Sequence, residues 1–160
     1  MKINIKNYQW KAFGLSAVAG LRSFTAPAIL SHQLSRAPAD ALQDSAFKYL
    51  QKGPVATGLK LFAASELAGD KVPNVPDRIT LMPLMFRATA GSIVGAAVYL
   101  ANRDKAVTGA LVGGLAAVAA TYGGFYFRQF LNDRVKLPNA LSGAIEDAVA
   151  IGTGIAIAKV

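Results

Sequence analysis

Arg22 stands in the middle of an apolar stretch, Ala12–Ser35, that is long enough to cross a bilayer. An ionisable side chain at the centre of a membrane helix costs about 2.5–3.5 kcal/mol on insertion scales. It is kept where it faces another charge, a wet cavity or a ligand. The same conflict recurs at Glu66, Arg87, Arg128 and the pair Glu146-Asp147. This pattern predicts an all-α fold, a polytopic membrane helical bundle with a buried polar interior.

Composition agrees with that reading. Hydrophobic residues make up 53% and charged residues 16% of the chain, against about 25% charged in soluble domains. Ala and Gly dominate the apolar runs, as in membrane helices whose backbones approach closely. A soluble, Ala-rich helical bundle is the competing reading, because the mean hydropathy is only +0.36. At 160 residues the chain is expected to be a single integral membrane domain, 1–160. The formal charge is +8, but the basic residues are scattered singly around apolar runs. Without a basic helix face, an aromatic-interleaved basic stripe or zinc spacing, nucleic acid is rejected as a partner and membrane lipid expected instead. The chain has no Cys and one His, so neither thiol chemistry nor a multi-histidine metal site is expected.

Five transmembrane segments can be drawn, at about 10–34, 54–70, 79–101, 106–127 and 139–158. Lys2, Lys6, Lys11, the apolar run 12–21 and Ala26-Pro27-Ala28 imitate a signal peptide. Arg22 and Phe24 fit that scheme poorly, so an uncleaved first span is expected. Pro38–Lys52 has near-helical spacing of apolar residues and reads as an amphipathic helix in the interface. Pro73 and Pro76 make the stretch 72–78 a stiff loop, flanked by Lys71 and ending on Arg78. Gly91/Gly95 and Gly109/Gly113 are GxxxG pairs that predict close packing of the third and fourth spans, with a homodimer as the alternative.

Pro27 should interrupt the first span near Arg22–Ala26, and Gly123-Gly124 the fourth. Gly14–Ala19 reads almost like Gly114–Ala119. Interrupted helices at matching places in two halves are a sequence pointer to a transport site, here within an inverted repeat. Candidate substrate- or ion-binding residues are Arg22, Ser23, Thr25, Glu66, Asp70, Arg128, Glu146 and Asp147. Arg22 is expected to neutralise Glu146 or Asp147, and Arg128 to neutralise Glu66. Ser23, Thr25, Tyr122 and Ser142 are expected to add hydrogen bonds. Glu66 and Asp70, four apart, share a helix face that could hold a cation or relay a proton. Lys60 and His32 are read as snorkelling or solvated. The competing reading is that these charges only hold helices together.

Three segments carry a family resemblance: Ala19–Pro27, Glu66–Arg78 and Arg87–Gly91. Together they resemble a bacterial integral-membrane family catalogued as domain of unknown function 4126, over most of the chain. The resemblance implies a small membrane protein, with Arg22, Glu66, Asp70, Lys71, Pro73 and Arg78 of first interest, and it implies no activity.

Two function classes follow. In the first the chain is transporter- or channel-like, with a buried Arg/Glu site for a small ion, proton or anionic solute. In the second it is an accessory subunit whose charges staple helices. No hydrolase elbow, phosphate loop, dinucleotide fingerprint or metalloprotease motif is present, so it is expected to be neither an enzyme nor dependent on a cofactor or metal. The expected location is the bacterial cytoplasmic (inner) membrane. With five spans and the N-terminus inside, seven loop Lys/Arg fall inside and six outside. That split orients nothing and leaves antiparallel dimers open.

Overall fold

A computed structural model describes residues 7–69, 79–136 and 139–159. Its described residues are helical, without a strand: α1 (Asn7–Leu21), α2 (Thr25–Arg36), α3 (Gly53–Gly69), α4 (Leu81–Ala101), α5 (Ala106–Asp133) and α6 (Asn139–Lys159). Among the described residues, three segments are long and apolar enough to cross a membrane, Leu81–Ala101, Ala106–Asp133 and Leu141–Lys159. They mark a helical protein of membrane type.

The centre is a three-helix wedge of α1, α4 and α5. Gly91 and Gly95 on α4 face Gly109 and Gly113 on α5 so closely that a methyl at Gly91 would lie 2.6 Å from the Gly113 carbonyl oxygen. The GxxxG pairs therefore pack within the chain, as the first of the two expectations has it. Ser16 on α1 completes the wedge by donating its hydroxyl to the Gly91 carbonyl at 2.9 Å. Large side chains point the other way. Leu81, Met82, Met85 and Phe86 on α4, and Leu111, Leu115, Tyr126 and Phe130 on α5, are exposed. Small residues inside and large apolar ones outside is the arrangement that lipid permits and water penalises.

The first span is interrupted as expected, but it does not continue across. The first turns of α1 and the last turn of α2 meet at one carbonyl: Lys11 Nζ donates to Ala158 O at 3.0 Å, and Gln33 Nε2 donates to the same oxygen. The two short helices thus form a hairpin that turns at Arg22-Ser23-Phe24 and returns to the end it started from. Pro27 sits in the first turn of α2, where its missing N–H takes nothing from the helix. α3 runs antiparallel to α2, with Glu66 beside Ser23 and Lys60 beside His32. α4 and α6 run antiparallel to α1 and α5 runs parallel to it, so both described termini lie at one end.

Two further expectations are corrected. The fourth span is unbroken: α5 is a single helix of 28 residues running through Gly123-Gly124. Glycine lowers helix propensity by about 1 kcal/mol but keeps its N–H, and at Gly124 the missing side chain makes room for Leu21 and Glu146. The interfacial helix is instead two short 3-10 turns, Asp40–Leu42 and Ala46–Gln51. Tertiary ties override its periodicity, since Leu42 is fully buried, Ser31 Oγ donates to Leu50 O at 2.6 Å and the Ala39 amide donates to Gln51 Oε1 at 2.6 Å.

Candidate functional site: the hairpin turn and its cavity

A chain reversal inside a bundle strands the carbonyls that end one helix and the amides that begin the next. Here each set is met by a side chain from another helix. On the α1 side, Arg87 Nη1 donates to Gly20 O at 2.7 Å and Leu21 O at 3.1 Å, and Thr121 Oγ1 donates to Gly20 O at 2.9 Å. On the α2 side, the N-cap position is Phe24, which has no side-chain acceptor. Glu66 of α3 supplies it: the Ser23 amide donates to Oε1 at 2.8 Å and the Phe24 amide to Oε2 at 3.0 Å. A cation thus stands at a helix C-terminus and an anion at a helix N-terminus, each complementing the local backbone dipole.

Arg22 itself is the largest fully buried side chain, and its guanidinium pairs with Asp147 on α6. Glu146 is buried beside it, one residue away and close to Gly124. Arg128 lies further along α5, where a methyl at Gly143 of α6 would be 3.7 Å from its Nη2. Arg22, Arg87 and Arg128 therefore balance Glu66, Glu146 and Asp147 in number. Such balance is needed where burial would otherwise leave a charge uncompensated.

The expected Arg22–Asp147 pair is present. Glu66 differs from expectation: α3 packs on α2, and the carboxylate is engaged by the hairpin backbone, while Arg128 lies against α6. Thr25 is buried in the first turn of α2, Ser142 is buried on α6, and Tyr122 is exposed. Ser23 acts through its amide rather than its hydroxyl. Asp70, Lys71, Pro73, Pro76 and Arg78 lie outside the described residues. Arg87 is visible in sequence as a lone cation in an apolar run, yet no pattern marks the Gly20 and Leu21 carbonyls that it meets. Thr121 carries no sequence signal.

A cavity of about 1230 Å³ opens at the end that holds both described termini, walled mainly by α2, α3 and α6, with the start of α1 and the end of α4 at its rim. Its floor reaches Thr25 and Leu67, the neighbours in sequence of Phe24 and Glu66 at the hairpin turn. Among the described residues, Lys11, Arg36, Lys60, Arg103 and Lys159 line it against one carboxylate, Asp40. His32 lies in the wall, its Nδ1 2.9 Å from Lys60 Nζ. No cluster of His, Cys, Asp and Glu suited to a metal ion occurs among the described residues.

The family model described as Domain of unknown function (DUF4126) matches residues 10–160. The chain belongs to that family. Among curated proteins and solved structures, nothing matches it.

Proposed function

We propose that this member of a membrane-type family of unknown function is a carrier for a small anionic solute, which enters the cavity from the basic end and is met at the hairpin turn. At 1.5 Å per residue, α1 and α2 rise about 22 and 18 Å, too short for a hydrocarbon core of about 30 Å. In this reading α4, α5 and α6 cross the membrane together with α3, whose 17 residues rise about 26 Å and which joins the cavity end to the start of α4. The hairpin is a re-entrant element with its turn beyond the midplane. Irregular backbone at that depth is tolerated where protein buries it or a cavity wets it. The observation that carries the proposal is the cavity itself, with five Lys/Arg to one carboxylate among its described lining residues and a floor at the turn.

The hairpin also changes the orientation argument. Among the described residues, Lys11, Arg36, Lys48, Lys52, Arg103, Lys105 and Lys159 adjoin the cavity end, and only Arg134 and Lys136 the other. That bias supports a cytoplasmic cavity end and speaks against dual insertion. The chain is read as non-catalytic, because the charged groups at the turn serve the backbone and one another.

A second reading, helix stapling without transport, is favoured by one observation. Both oxygens of Glu66 are engaged in capping α2. The natural absence of Cys makes the test direct. Leu67→Cys, half-buried on the cavity floor, should react with a membrane-impermeant thiol reagent from the cytoplasmic side alone. Proteoliposomes loaded with chloride, phosphate or short carboxylates should release at least one of these anions faster than empty vesicles. Leu67→Cys inert from both sides, together with no anion released, would leave the stapling reading.

A further inference from the structure

We infer that the cavity between α2, α3 and α6 holds the anionic headgroup and upper acyl chain of a membrane phospholipid. The inference goes beyond the carrier reading and stands on the cavity's lining. α3 and α6 both pack on α2, so the slot between them is backed by α2. Its size exceeds the roughly 300–1,000 Å³ usual for small-molecule pockets.

The walls divide by chemistry along their length. At the mouth stand Lys11, Arg36 and Lys60, with Arg36 and Lys60 exposed. Towards the floor the lining becomes aliphatic, through Ile29, Ala64, Leu67, Ile151 and Ile155. A free inorganic anion would satisfy the mouth and leave the aliphatic walls to water. An uncharged lipid would cover the walls and leave the cations unanswered. An anionic phospholipid answers both, and basic pockets between membrane helices near the cytoplasmic surface are built to hold such headgroups. Hydrogen bonding fits as well: Lys60 beside His32 Nδ1 places an ammonium group at the wall, where its remaining protons can meet phosphate oxygens.

The test is native mass spectrometry of the full chain in detergent, titrated with phosphatidylglycerol, phosphatidylcholine or inorganic phosphate. Phosphatidylglycerol should bind in preference to phosphatidylcholine. Arg36→Gln with Lys60→Gln should weaken it about 25-fold, taking about fivefold for each cation. Ala64→Phe, which fills the aliphatic wall, should weaken the lipid but not competition by phosphate. Lys48→Gln with Lys52→Gln removes the same charge at exposed sites outside the cavity and should change nothing. Equal binding of the two lipids, equal loss in the two double variants, or phosphate displacing lipid without being affected by its chain would each overturn the inference. Lipid selectivity without anion release defeats only the carrier reading; anion release without lipid selectivity defeats only this one.

Discussion

Replacing Glu66 by Gln changes one oxygen to an NH2 group and removes a charge while keeping the side chain's length. In the folded chain both oxygens of Glu66 accept from backbone amides, Ser23 at 2.8 Å and Phe24 at 3.0 Å. Gln can satisfy only one of them, and its NH2 group turns a donor towards the other. An amide left without an acceptor inside a protein costs about 1–3 kcal/mol. The lost carboxylate also no longer opposes the positive end of α2, worth about 0.3–1 kcal/mol at an exposed site and up to about 2 when partly buried. Glu66 is half-buried, so a loss of about 2–3 kcal/mol is expected, on the order of a hundredfold in the folding equilibrium. The assay is denaturation of the purified protein from mixed micelles, with hydrogen exchange at the Ser23 and Phe24 amides read in parallel. Those two amides should exchange faster by a similar factor, and Asp44→Asn, at an exposed position, should leave both readouts unchanged. If Glu66→Gln unfolds together with the parent chain and the two amides stay protected, the capping argument is wrong.

Two further outcomes follow from the packing and the loop between α4 and α5. Gly95→Ala should destabilise by about 1–3 kcal/mol, as overpacking does, because its methyl would run into the Gly109 carbonyl; Gly58→Ala, with nothing within 4 Å, should stabilise α3 by up to about 1 kcal/mol, and the same micelle titration compares them. The Tyr8 hydroxyl donates to Asp104 Oδ2 at 2.6 Å, and that bond first, then the Lys105 amide, holds the Asp104 carboxyl below its ordinary 3.8. The stability this supplies is therefore complete above that ordinary value and lost as pH falls through the lowered one. Tyr8→Phe should narrow the gap to the parent chain in acid and keep it constant above pH 5, read from thermal midpoints across pH 3–7.

Much of the fold is legible in the order of residues. The third, fourth and fifth apolar runs became α4, α5 and α6 with boundaries close to those expected, because length and apolarity are local properties. The GxxxG pairs found each other because small residues at four-residue spacing leave a groove that a like groove fits. Arg22 and Asp147 were both visible as charges that burial would force into company. Periodicity misled at 38–52, where Leu42, Ser31 and Gln51 tie the segment down in short turns. Paired glycines misled at 123-124, because a weak propensity yields to the packing around a long helix.

A proline and a buried arginine in an apolar run state that a helix stops near residue 22. They do not state where the chain goes next, since continuing and turning back strand the same amides and carbonyls. The direction is set by the groups that arrive to satisfy them: Glu66 from 43 residues away, Arg87 from 67 and Thr121 from 101. Once the hairpin closes, the positive loops gather at one end and the basic cavity forms beside it. Composition called for lipid and buried charge because those follow from residue types alone. The reversal belongs to the fold, because the hydrogen bonds that stabilise it are made between helices.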